Sequence, residues 1–116
     1  LMIRGKIKKG NGLGRKMGFP TLNIPYYGDD AGVFVGRVLI DDEWHIAAVH
    51  IGPRLTIDDD ESICEAFLLD WKGGKIKGEI QIELGKKIRD TKKFDSMELL
   101  KNQITEDVEF VKNWYN

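Results

Sequence analysis

A mainly β domain with one C-terminal helix, built as an antiparallel barrel or sandwich, is the fold class this sequence predicts. Three observations carry it. "GVFVGRVLI" (32–40) and "WHIAAVHI" (44–51) are rich in β-branched residues and are separated by a short acidic turn. "KIKGEIQIEL" (75–84) alternates strictly, with Ile76, Ile80, Ile82 and Leu84 on one side and Lys75, Lys77, Glu79, Gln81 and Glu83 on the other. After residue 95 the apolar period changes to that of a helix. No βαβ pattern appears, which argues against Rossmann and P-loop folds.

Taken in order, residues 2–8 predict a short strand with Ile3 and Ile7 on one face. Residues 9–19 are glycine-rich and predict a loop, and 21–24 open a second strand. "YYGDD" (26–30) and "DDE" (41–43) predict turns around the strand 32–40, and 44–51 the next strand. Residues 52–61 predict a loop, "SICEAFLLDW" (62–71) a strand, and "KGG" (72–74) a hairpin into 75–84. Asp95 followed by Glu98 suggests a capping box with Asp95 as N-cap. Leu100, Ile104, Val108 and Val111 then mark the apolar stripe of one helix over 96–114.

The chain has 116 residues, 41% of them hydrophobic, enough for one domain with one core. No stretch approaches the ~18 apolar residues of a spanning helix, and the N-terminus lacks the apolar core of a signal peptide. Cys64 is the only cysteine, which excludes an intramolecular disulfide and a thiolate cluster and fits a reducing, cytoplasmic setting. The net charge of −1 gives no general attraction for nucleic acid. Charge is nevertheless uneven. Residues 6–16 carry Lys6, Lys8, Lys9, Arg15 and Lys16 and no acid, and "DDDE" occupies 58–61.

The first loop holds the clearest chemistry. Gly10, Gly12, Gly14 and Gly18 let backbone N–H groups approach an anion, with Arg15 and its neighbours adding charge. A mobile hairpin loop would use the same residues, and no Walker A spacing is present. Thr21 and Asn23, two apart on a strand, present neutral oxygens to one side. Beside a phosphate loop they suit Mg²⁺; elsewhere they are ordinary turn chemistry. Glu65 sits in a strand that is apolar on both faces. A carboxylate there pairs, coordinates, or has its pKa raised by burial, as suits a general base. Arg37 and Arg54 are its candidate structural partners. His45 and His50 fall on opposite faces of one strand and form no metal pair. Arg89 could reach an anionic ligand.

In order along the chain, "GKIKKGNGLGRKMGFPTLNI" (5–24), "GVFVGRV" (32–38), "HIGPRLTI" (50–57), "CEAFLLDW" (64–71) and "IRDTKKFDSMELLKNQITEDV" (88–108) closely resemble the motifs of the riboflavin kinase family. The resemblance implies a six-stranded antiparallel Greek-key barrel with a C-terminal helix, spanning 1–116 as one kinase domain. It implies transfer of the ATP γ-phosphoryl to the ribityl 5′-hydroxyl of riboflavin, giving FMN and ADP. By position in the motifs, the loop 10–19 would wrap the phosphates, with Gly10, Gly12, Gly14, Arg15, Gly18 and Pro20. Thr21 and Asn23 would hold Mg²⁺ and the nucleotide, and Glu65 would be the base. Arg89 falls in the segment that closes over the flavin, and Phe94 nearby is a candidate flavin contact. Neither nucleic acid nor a membrane is an expected partner. Bacterial relatives often fuse this module behind an FMN adenylyltransferase domain, which nothing here resembles. The chain is thus expected to be a stand-alone kinase or an excised module. His50, Leu55, Phe67 and Lys77 depart from the family pattern. They leave open a barrel that binds flavin or nucleotide without turnover, and a small nucleic-acid-binding barrel is the third alternative.

Overall fold

The computed structural model of the chain describes residues 1–7, 18–53, 62–76 and 78–116. Six antiparallel strands form one sheet: β1 (Met2–Lys6), β2 (Thr21–Pro25), β3 (Gly32–Ile40), β4 (Glu43–Pro53), β5 (Ser62–Leu68) and β6 (Glu79–Arg89). The spatial order is β1-β6-β3-β4-β5-β2. The sheet curls until its two edges, β1 and β2, face each other, giving the nearly closed Greek-key barrel that the resemblance implied. Among the described residues one helix, α1 (Met97–Trp114), follows β6 and lies on the barrel's outer surface.

Alternation along the strands creates two apolar layers. Inside the barrel, Ile24, Val38, Val49, Ile51, Cys64 and Ile82 are among the buried side chains. Outside it, Val35, Ala48 and Phe67 meet Ile104, Val108 and Val111 of α1. Strand β5 is therefore buried on both faces, as its sequence suggests. The β3–β4 connection is the two-residue turn Asp41–Asp42, both with positive φ (48° and 67°), the geometry that matches hairpin twist.

The seam is tight. A Cβ placed on Gly5 in β1 would stand 3.2 Å from Ile24 Cβ in β2. A side chain at this position would be tighter than ordinary contact, so the two edges would have to give by a few tenths of an ångström.

Several boundaries differ from the sequence expectation. β4 runs over 43–53 and β5 over 62–68, against 44–51 and 62–71, and β5 and β6 are not neighbours in the sheet, so 72–74 closes no hairpin between them. The last strand runs over 79–89, not 75–84. Gly78 has φ 78°, which breaks the extended chain just before Glu79. Ile76 still packs on the core, so the alternation reported burial correctly but not pairing. The helix N-cap is Ser96, not Asp95. Its Oγ accepts from the Leu99 N–H at 3.2 Å, the reach of a cap to the third helical residue.

Filling the seam tests this closure. Gly5→Val is expected to lower stability by about 1–3 kcal/mol through overpacking against Ile24. An unchanged urea midpoint would mean that β1 and β2 do not meet there.

Candidate functional site

Strand register assembles the site. Asn23 on β2 is the partner of Glu65 on β5, Glu65 of His50 on β4, His50 of Val33 on β3, and Val33 of Arg89 on β6. Directly opposed residues in an antiparallel sheet share a face. These five therefore form one row across the outer surface of the barrel, on the side that carries α1. Thr21, two residues before Asn23, shares that face and is the register partner of Phe67.

Asn23 and Glu65 are buried at 3% and 8% exposure, although both are polar. Each has further interactions in the fold. The expected structural partner Arg37 is instead committed to Glu83. Its Nε and Nη2 donate to Oε1 at 3.0 and 2.8 Å, and its guanidinium lies 4.5 Å from the Trp44 ring centre. Arg54 lies outside the described residues, as do Gly10, Gly12, Gly14, Arg15, Leu55 and Lys77. Gly18, with φ 87°, and Pro20 lead directly into β2, and the Pro20 carbonyl accepts from the Leu68 N–H at 2.9 Å. This bond fixes the start of β2 against the end of β5, and with it the placement of Thr21 and Asn23.

At the other end of the row, Arg89 does not stand free for an anionic ligand. Its Nε donates to Asp107 Oδ1 at 3.0 Å and its Nη2 to Oδ2 at 2.7 Å. Gln103 Nε2 donates to the same carboxylate at 3.2 Å. Asp107 is 4% exposed on the inner face of α1. The Arg89 guanidinium also lies 5.9 Å from the Phe94 ring centre, and Lys92 Nζ 5.2 Å from it. The sequence reading missed Asp107, yet a signal was there. It stands three residues after Ile104 and four before Val111, a charge inside the apolar stripe.

Between the sheet and α1 lies a narrow cavity of about 20 Å³, room for about one water. His50, Phe67 and Val33 form its floor, Arg89 and Asp107 its wall, and Phe94 and Leu100 its cover. Burial, assisted by the Arg89 charge and opposed by Asp107, pushes the His50 imidazole down to about 4, so the ring is neutral at pH 7. Burial, with the Glu65 charge, pushes the Cys64 thiol up to about 12, which makes it an inert core group. His45, on the opposite face, sits 3.2 Å from Asp70. Among the described residues no group of three His, Cys, Asp or Glu side chains could hold a metal. Oxygens of Thr21 and Asn23, with the Glu65 carboxylate opposite, are the hard donors that Mg²⁺ takes when phosphates and waters complete its shell.

The depressed His50 value fixes the sign of a pH effect. Between pH 4 and 6.5 the unfolded chain holds the proton and the folded chain does not, so stability falls as pH drops through this window. The loss is roughly 3 kcal/mol at 1.36 kcal/mol per pH unit. Urea unfolding at pH 7 and pH 4.5 is expected to show this slope in the wild type and a shallower one in His50→Asn. Equal slopes would contradict the buried neutral ring.

Comparison with known proteins matches this architecture to one family. The riboflavin kinase family profile, Flavokinase, matches residues 1–115. The RNA-binding riboflavin kinase RibR of Bacillus subtilis is 34% identical over 95% of this chain and 49% of its own length. The bifunctional riboflavin kinase/FMN adenylyltransferase of Haemophilus influenzae is 35% identical over 98% of this chain and 38% of its own. Among solved structures, a Streptococcus pneumoniae chain described as a macrolide-efflux protein superposes with TM-score 0.83 at 33% identity, covering 98% of this chain and 39% of that one. Riboflavin kinase from Trypanosoma brucei superposes with TM-score 0.63 at 25% identity, covering 97% and 78%. The chain thus spans about half or less of the length of the curated relatives it matches. The RNA-binding relative leaves the expectation of no nucleic-acid partner without support. No helix among the described residues is long and apolar enough to cross a membrane. With the profile covering almost every residue and the barrel shared, the chain belongs to the riboflavin kinase family.

Proposed function

We propose that this chain transfers the γ-phosphoryl of ATP to the ribityl 5′-hydroxyl of riboflavin, giving FMN and ADP, on the outer face of the barrel. The observation that carries this is the direct pairing of Asn23 with Glu65 on adjacent strands, both buried, one strand away from the cavity under α1. Phosphoryl transfer asks a protein chiefly to position its reactants and to stabilise charge. A buried carboxylate beside a neutral oxygen donor is suited to both tasks.

In this scheme Glu65 accepts the proton of the attacking hydroxyl and orients its oxygen for in-line attack. Thr21 and Asn23 would hold Mg²⁺ together with the nucleotide. Bound there, the ion would neutralise phosphate charge as it shifts toward the leaving oxygen. The loop that contains Gly10, Gly12, Gly14 and Arg15 would supply N–H groups and positive charge to the phosphates, with Gly18 and Pro20 setting its exit into β2. The flavin ring would enter the cavity floored by Phe67, with Arg89 and Phe94 at its edge. A volume of about 20 Å³ is far too small for a tricyclic ring. Binding therefore requires the segment 90–96 to move away from the sheet. FMN, the product, is the substrate of the adenylyltransferase activity named in the bifunctional relatives, so a domain of that kind, fused or separate, would be a functional neighbour.

Chromatography of flavins after incubation with riboflavin, ATP and Mg²⁺ tests the reaction. FMN is expected only when metal is present. Glu65→Gln should reduce the rate by about 10²–10⁴-fold while riboflavin still binds. A binding barrel without turnover would show fluorescence change on riboflavin addition and no FMN from the wild type. Thr21→Ala should weaken use of Mg²⁺-ATP far more than riboflavin binding; equal loss of both would sink the metal assignment.

A further inference from the structure

His50 occupies the one position of the row between the carboxylate that would act as base and the cavity that would take the flavin ring. It is the direct register partner of Glu65 and lines the cavity. Neighbouring strands lie about 4.8 Å apart, so the imidazole stands a single strand spacing from the base. The ring has a defined lean. A Cβ at Gly52 would come within 3.6 Å of His50 Cε1 and 3.8 Å of Nε2, and within 3.5 Å of Thr91 Cγ2. The Nε2 edge therefore lies toward the chain that covers the cavity. Burial and the charges of Arg89 and Asp107 act on the ring, with no hydrogen bond from another described residue among the causes. A largely enclosed imidazole carries a desolvation cost that a hydrogen bond from a ligand can repay.

We propose that His50 is a specificity contact that reads the polyhydroxyl chain of the acceptor. This rests on the kinase activity proposed above and adds a role to it. A substrate whose terminal hydroxyl is at Glu65 and whose ring is in the cavity must carry its linker across His50. A neutral imidazole offers one donor and one acceptor, the complement of a hydroxyl, which is also both. A positively charged ring would offer donors only. The adjacent Arg89 charge disfavours that state.

The test is steady-state kinetics of wild type, His50→Leu and His50→Asn, with binding of lumiflavin, a flavin ring without the polyol, as the second readout. His50→Leu is expected to raise KM for riboflavin about tenfold, the size of one lost hydrogen bond to a substrate hydroxyl in an enclosed site, and to change kcat by less than about threefold. His50→Asn, which keeps a donor and an acceptor, should recover most of the KM. Lumiflavin should bind wild type and His50→Leu equally. An unchanged KM in His50→Leu, or a loss of lumiflavin binding equal to that of riboflavin, would overturn the role, since the side chain would then serve the cavity or the fold. If the wild type forms no FMN, the kinase activity itself fails and this role with it. An active wild type with either of the first two results overturns only His50.

Discussion

The ion pair between Arg89 and Asp107 is the contact on which the site depends. The last residue of β6 and the middle of α1 meet through a bidentate bond set at 2.7 and 3.0 Å, with the carboxylate almost fully buried. Charges removed from water this far hold together only with good geometry, and each strongly penalises the loss of its partner. Gln103 adds a third donor to the same carboxylate. The pair fixes the rotation and height of the helix over the barrel, and so fixes the cover of the cavity. Val35, Ala48 and Phe67 supply the apolar contact below, but such contacts alone would tolerate sliding.

Given that clamp, the sheet does the rest by register. Among the described residues the barrel interior is packed largely with aliphatic side chains, while the polar row of Asn23, Glu65, His50 and Arg89 lies on the outer face, where the proposed chemistry would take place. There the ladder lines up Asn23, Glu65, His50 and Arg89, with a β-bulge beside Val33 in the β3–β6 pairing. Leu68 and Pro20 lock β2 to β5 just beside Thr21. The Asn23–Glu65 juxtaposition is thus a property of hydrogen-bonded backbone and does not rest on flexible loops. In the proposed scheme the row would also order functions in space: metal and nucleotide donors at β2, base at β5, linker contact at β4, ring cavity at β3 and β6.

Much of this was legible in the residues. Strands β3 to β5 followed from β-branched runs and turns, and the helix from its apolar stripe. The placement of Glu65 among hydrophobes on both faces of β5 was readable because Cys64, Ala66, Phe67 and Leu68 surround it in sequence. The pairing partners were not. Which strand lies beside β5 depends on the barrel closure, and nothing local to Asn23 or His50 states that both flank Glu65. The displaced last strand shows a further limit. Alternation registers burial, and Ile76 is partly buried, but a positive-φ glycine at 78 decides where pairing begins. Arg89 looked available for an anion because its partner, Asp107, stands 18 residues downstream and had been absorbed into a generic helix. The glycine-rich loop, whose residues carried most of the family resemblance, lies outside the described residues, so its role rests on sequence and chemistry alone.

That the reaction takes place outside the barrel, beneath α1, is tested most directly by methyl-resolved NMR of the chain titrated with riboflavin. Shifts are predicted at Val33, Val35, Ala48 and Ile104, which line the outer layer, with Ile24, Val38, Ile80 and Ile82 inside the barrel unmoved. Perturbations concentrated on the interior methyls, with the outer set silent, would contradict the account.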